Sequence, residues 1–164
     1  MQNLKINYRH PFFKEGLAIY ELVKRCPPLD TNSIYYYYLL CRDFSKTCVV
    51  AEQDNNIISF LSAYRKPQEQ DCLFIWQVAV SKESRGQHIA TNMLKWLIKQ
   101  LSYANINILE TTISPSNHAS QALFRHFAQK YQARCKTSDF LDISIFGDHT
   151  HEAEILFRIG PLKR

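Results

Sequence analysis

The stretch Leu73–Ile98, LFIWQVAVSKESRGQHIATNMLKWLI, limits what this chain can fold into more than any other. An apolar run of strand length ends in a short polar loop carrying Arg85-Gly86-Gln87-His88-Ile89-Ala90. The loop passes straight into a segment of helical period, with Ala90, Leu94, Leu97, Ile98 and Leu101 on one stripe. The first amides of a helix have no partners within it, and the helix dipole favours negative charge there. A strand delivering such a loop to a helix N-terminus therefore makes an anion site, and a pyrophosphate fits it. The pattern points to a phosphorylated cofactor gripped mainly by main chain.

At 164 residues the chain is expected to form one domain, residues 1–164, with a sizeable core. It has no run of about 18 apolar residues, so no membrane partner is expected. Its first residues, MQNLKINYRHPFF, lack the apolar core of a secretory signal. The five cysteines (Cys26, Cys41, Cys48, Cys72, Cys135) include no Cys-x-x-Cys pair. They read as reduced thiols of a cytoplasmic protein, with no disulfide framework and no metal. The net charge of +5 asks for a polyanionic partner. A cofactor with several phosphates answers that, as nucleic acid would. The Lys and Arg residues are dispersed rather than gathered in a stripe, so no nucleic-acid partner is expected.

The remaining periodicity reads as follows. Leu4–Tyr8 is a strand, then Ile19, Leu22, Val23 and Cys26 mark a helix over Gly16–Cys26, stopped by Pro27-Pro28. Asp30-Thr31-Asn32-Ser33 offers N-caps for a second helix, Ile34–Arg42. Thr47–Glu52 and Ile57–Tyr64 are strands joined by an Asp54-Asn55-Asn56 turn, and Leu73–Val80 is a central strand. Asn107–Ile113 is a strand, and a helix runs from Asn117 to about Lys130 with Ala119, Leu123 and Phe127 four apart. Ala133–Asp148 has no clear period and holds at most a strand within an irregular loop. His151–Ile159 closes the chain as a strand, with Ala153, Ile155, Phe157 and Ile159 on one face.

The loop Arg85-Gly86-Gln87-His88-Ile89-Ala90 resembles the cofactor motif of the Gcn5-related N-acetyltransferases, (Gln/Arg)-x-x-Gly-x-(Gly/Ala). Arg85 takes its first position and Ala90 its last, while His88 stands where Gly is usual. Asn117 followed seven residues later by Phe124 is similar to the family's second signature, in which the aromatic residue is often a Tyr placed to protonate the leaving thiolate. Phe124 has no proton to give and is expected to pack against the cofactor. The resemblance implies an α/β (α+β) fold, a central, mostly antiparallel mixed sheet flanked by about four helices. It also implies acetyl-CoA as co-substrate and a homodimer.

Longer stretches (LDTNS, LLCRDF, TCVVAE, FIWQVAV and HEAEILFRIGPL) resemble the branch of that family that acetylates the 4-amino group of L-2,4-diaminobutyrate for ectoine biosynthesis. The likeness runs from about residue 8 to 162. It implies that the amides of Arg85, Gly86, Gln87, His88, Ile89 and Ala90 hold the pyrophosphate. Val78 and Val80 would pair with the pantetheine arm, the Val78 N–H facing the thioester oxygen, and Asn117 and Phe124 would complete the cofactor side. On the acceptor side it implies Asp30 and Glu154 for the substrate's ammonium groups, with Trp76 and Tyr35 as walls. Glu154 is the expected proton acceptor, with His151 beside it. Each has a plainer reading: Asp30 as a helix N-cap, Glu154 as a solvent-facing strand residue, Trp76, Val78 and Val80 as core, His151 as exposed. Two other functions stay open at this point: the same chemistry on another amine, and a silent acyl-CoA-binding or nucleic-acid-binding module.

Overall fold

A computed structural model describes residues 5–147 and 151–163. The chain divides into two units, one of Met1–Tyr64 with Trp76–Tyr103, the other of Arg65–Ile75 with Ala104–Arg164.

The first unit begins with β1 (Asn7–Arg9), α1 (Gly16–Lys24), α2 (Ile34–Asp43), β2 (Val49–Gln53) and β3 (Asn56–Lys66, whose last two residues belong to the second unit). β4 (Glu69–Val80) contributes its half from Trp76 onward, and α3 (Ile89–Gln100) follows. β1 pairs with β2 and β2 with β3, both antiparallel. The β2–β3 turn is only Asp54-Asn55, both at positive φ (50° and 62°), which suits the right-handed twist of a two-residue hairpin. α1 and α2 turn their apolar stripes inward, and Ile19, Leu22, Val23, Tyr37 and Leu40 join Val50, Phe60 and Ala79 in one buried core. Gly16 opens α1 because the Tyr38 ring lies 2.7 Å from where a Cβ would stand.

In the second unit the other half of β4 pairs in parallel with β5 (Ile108–Ile113), over Cys72–Ile75 against Ile108–Thr111. β7 (Glu154–Gly160) runs antiparallel to both β5 and β6 (Arg134–Leu141). α4 (His118–Lys130) covers one face through Phe124, Phe127 and Ala128. The strand order of the seven-stranded sheet is β1-β2-β3-β4-β5-β7-β6. Glu110, only 5% exposed in its side chain, is met by Lys66 Nζ at 2.7 Å and by the Arg158 guanidinium, which also holds Glu69 at 3.0 Å. Glu69, Cys72 and Glu110 lie close enough to share a metal ion, but both carboxylates are already neutralised by Lys66 and Arg158.

The mixed, mostly antiparallel sheet and four helices agree with expectation. Several details differ. β1 starts at Asn7 rather than Leu4, which lies outside the described residues. α1 ends at Lys24, two residues before Cys26, and β4 begins at Glu69, four residues before Leu73. In α4 the buried positions are Phe124, Phe127 and Ala128, while Ala119 is exposed, so the stripe sits one residue further round than the four-apart reading placed it. Arg134–Leu141 is a full strand, followed by a 3-10 turn over Ile143–Phe146; the end of the expected irregular segment, at Asp148, lies outside the described residues. No helix among the described residues is long and apolar enough to cross a membrane.

Candidate active site

In the first unit a 3-10 turn, Lys82–Ser84, leads from β4 into the loop, tied by Ser81 Oγ to Ser84 Oγ at 2.8 Å. Gly86 sits at φ 78° with open space around it, and His88 takes a left-handed conformation at φ 57° as the N-cap of α3. Two such residues turn successive amides to one side, the concave arrangement that binds anions. No side chain caps this helix. Among the described residues, the N–H groups of Gly86, His88, Ile89, Ala90 and Thr91 donate to no protein acceptor, and the first helical bond is Asn92 N to His88 O. The Arg85 guanidinium turns back to Val80 O at 3.3 Å, and Arg85 through His88 are exposed. A polyanion such as the diphosphate of coenzyme A fits these open donors.

His88 fits because His is among the non-glycine residues that best tolerate positive φ. His88→Gly is expected to raise stability by between about 0 and 1 kcal/mol, the relief of left-handed strain less the added backbone entropy. It should leave affinity for coenzyme A within about twofold, since either residue supplies the same amide. Thermal melts with and without the ligand check this, and a loss of the ligand's stabilising shift would give the imidazole itself a binding role.

Upstream of the loop, Ser81 N donates to Ile58 O at 2.9 Å and Ala79 O accepts from Ser59 Oγ at 2.6 Å. The main chain of Ala79 and Ser81 therefore faces β3, and by alternation that of Val78 and Val80 faces the opposite edge of β4. The β4–β5 ladder has its last rung at Ile75, so Val78 and Val80 lie beyond it. Both side chains are half-buried, so a packing role and a main-chain role coexist.

Asp30 is not the cap of α2. Ser33 is, its Oγ accepting from Tyr36 N at 3.3 Å. The exposed Asp30 is instead placed by a side chain that periodicity did not single out: Gln77 Nε2 donates to Asp30 O at 2.7 Å, and Gln77 Oε1 accepts from Tyr37 Oη at 3.2 Å. Gln77 is buried, and a buried amide inside the apolar run FIWQVAV was the available signal. The same β4 residue thus anchors the loop of Asp30. Trp76 is not core; it is 50% exposed, and the rings of Tyr36 and Tyr64 stand roughly perpendicular to it with centroids 5.0 Å and 6.3 Å away. Its outer face is available to a cation. Tyr36 Oη is buried without a hydrogen-bond partner, and burial raises its pKa well above that of an ordinary phenol. Tyr35 is 67% exposed on the surface of α2.

In the second unit Asn117 caps α4, Oδ1 accepting from Ser120 N at 3.1 Å. Phe124 is 2% exposed, so it serves the core and offers a cofactor little surface. Glu154 is the first residue of β7, half-buried and in register with Leu141. His151 is half-buried rather than exposed: its ring stacks on Phe146 at 4.2 Å, and Nδ1 lies 2.9 Å from Glu152 O. A carbonyl can only accept, so Nδ1 carries the hydrogen and Nε2 the lone pair of the neutral ring.

The sequence profile of the Acetyltransferase (GNAT) family matches residues 16–128. The chain is 41% identical over 152 residues to the L-2,4-diaminobutyric acid acetyltransferase of Halalkalibacterium halodurans, covering 93% of this chain and 80% of that one. The protein of the same name from Vibrio cholerae is 44% identical over 156 residues, 95% of this chain and 90% of that one. Among solved structures, the diaminobutyrate acetyltransferase EctA from Paenibacillus lautus, in complex with its substrate L-2,4-diaminobutyric acid and coenzyme A, superposes with a TM-score of 0.94. It is 39% identical, and the match covers 97% of this chain and 96% of that one. With its loop of open amides and its strand order, this chain belongs to the GNAT acetyltransferase family, alongside the L-2,4-diaminobutyric acid acetyltransferases.

Proposed function

We propose that this chain transfers the acetyl group of acetyl-CoA to the 4-amino group of L-2,4-diaminobutyrate, giving N4-acetyl-L-2,4-diaminobutyrate and coenzyme A, a step toward ectoine. The observation that carries this reading is the near full-length likeness to a diaminobutyrate acetyltransferase bound to that substrate and coenzyme A.

The residue roles follow from charge and geometry. The amides of the Arg85–Ala90 loop hold the diphosphate, and the main chain of Val78 and Val80 holds the pantetheine arm. The Val78 N–H donates to the thioester oxygen as it gains charge, a contact worth up to about 3–4 kcal/mol in such sites. Asp30 and the face of Trp76 take the α-ammonium group. An alkylamine of pKa near 10 is charged at neutral pH, so it must lose a proton before its nitrogen can attack the carbonyl carbon. Glu154 accepts that proton, directly or through one water, with His151 Nε2 as its neighbouring acceptor. The carbon–sulfur bond then breaks, and the sulfur leaves as a thiolate, which with a pKa of about 8.5 needs little help. Phe124 supplies none. We further propose that the protein is cytoplasmic and a homodimer, each copy a single acetyltransferase domain over residues 1–164.

Free-thiol release tests the reading. Release is expected only when acetyl-CoA and L-2,4-diaminobutyrate are combined, and each ligand should raise the melting temperature by itself. Turnover with polyamines or peptide amines but not with diaminobutyrate would overturn the substrate. Binding without thiol release would make this a silent acyl-CoA module.

A further inference from the structure

We infer that Glu152 is a positioning residue for the acceptor side of the reaction: its carboxylate latches the segment leading into β7 onto the loop that opens α4. The inference rests on the proposed function for what is positioned, but the latch itself is a matter of geometry. Ser116 N donates to Glu152 Oε2 at 3.1 Å, and Ser116 Oγ donates to Oε1, so one residue satisfies both carboxylate oxygens. On its other side, the main-chain oxygen of Glu152 accepts from His151 Nδ1. Ser116 immediately precedes Asn117, the cap of α4, and Glu154 lies two residues beyond Glu152.

The sheet does not fix this segment. The first rungs of β7 are Glu154 with Leu141 and Ile155 with Ile113, and among the described residues no rung reaches residues 151–153. Among the described residues, the Ser116 bonds and the His151–Phe146 stack tie this segment to its surroundings. Glu152 is exposed, so its carboxylate contributes no packing, and its structural effect is carried by these bonds. The Ser116 donors also hold its carboxyl below the usual carboxylate range, so the acceptor form persists through neutral pH.

The test compares Glu152→Ala with Glu152→Gln. The Gln amide keeps the shape: its oxygen accepts from Ser116 N, and its nitrogen donates to an Oγ that has rotated to accept. Glu152→Ala should lower kcat/KM for diaminobutyrate about tenfold or more, because small misplacements of reacting groups are costly. Its affinity for coenzyme A, measured by calorimetry, should stay within about twofold of wild type, and Glu152→Gln should keep kcat/KM within about threefold. Amide exchange over residues 114–118 and 151–155 should quicken in Glu152→Ala and not in Glu152→Gln. Wild-type kinetics and exchange in Glu152→Ala would overturn the latch, as would Gln being as impaired as Ala, or coenzyme A affinity falling in step with turnover. A wild-type protein that does not turn over diaminobutyrate would sink the substrate reading alone, and the exchange comparison would still decide the latch.

Discussion

Glu154→Gln is expected to reduce kcat for diaminobutyrate by about 100- to 1,000-fold, within the range that positioned acid–base groups supply. Gln keeps the size and the hydrogen-bonding capacity of Glu but cannot accept a proton at neutral pH. Binding of coenzyme A, which falls to the Arg85–Ala90 loop, should be untouched, and KM for the amine should change little. The deficit should also narrow as the pH rises toward the amine's own pKa near 10, where the substrate loses its proton to solvent. Stopped or steady-state kinetics between neutral pH and about pH 10 would show both features. Near wild-type turnover at neutral pH would remove Glu154 as the base and shift the role to His151 Nε2.

The second large effect is on stability. Glu110→Ala leaves the Arg158 guanidinium and Lys66 ammonium without their buried partner. Breaking a buried pair from one side costs about 3–5 kcal/mol, and the low end applies here because both cations keep Glu69 and reach solvent. Urea unfolding should therefore show a loss of about 3 kcal/mol, with Glu110→Gln in between. A loss below about 1 kcal/mol would mean that the cluster is a surface network of little weight. The same cluster sets an acid limit. Hydrogen bonds from Arg158 lower the Glu69 carboxyl from 4.5 to about 2, with Lys66 adding to the shift. A carboxyl depressed on folding stabilises above its unfolded pKa, so this contribution is whole above about pH 4.5 and disappears as the pH falls toward 2. Glu69 is partly exposed, so the contribution is screened and modest.

How much of this was legible in the sequence depended on the physics of each segment. α3 and β4 were, because their apolar stripes face a core and their junction is marked by Gly86. α1 and α2 were too, since Ile19, Leu22, Val23 and Tyr37 all point inward. β6 was not. Its residues are almost all exposed on both faces, so no alternation of apolar and polar letters betrays it, and only its rungs with β7 make it a strand. The cofactor loop could be read because backbone amides need only a turn and a helix start. The acceptor side could be named residue by residue through family likeness, but not how its parts are held. Gln77 fastening Asp30 and Glu152 fastening Ser116 are contacts across 47 and 36 residues of chain, which local pattern does not reveal.

α3 begins without a cap of its own, and that has a thermodynamic consequence. A diphosphate on those amides would supply what Ser, Thr or Asp supplies at an ordinary helix start, so the ligand would finish the secondary structure as well as occupy it. Folding of that first turn and occupancy by coenzyme A then become a single linked equilibrium. In a cell whose acetyl-CoA rises and falls with metabolism, the resistance of this protein to local opening would rise and fall with it.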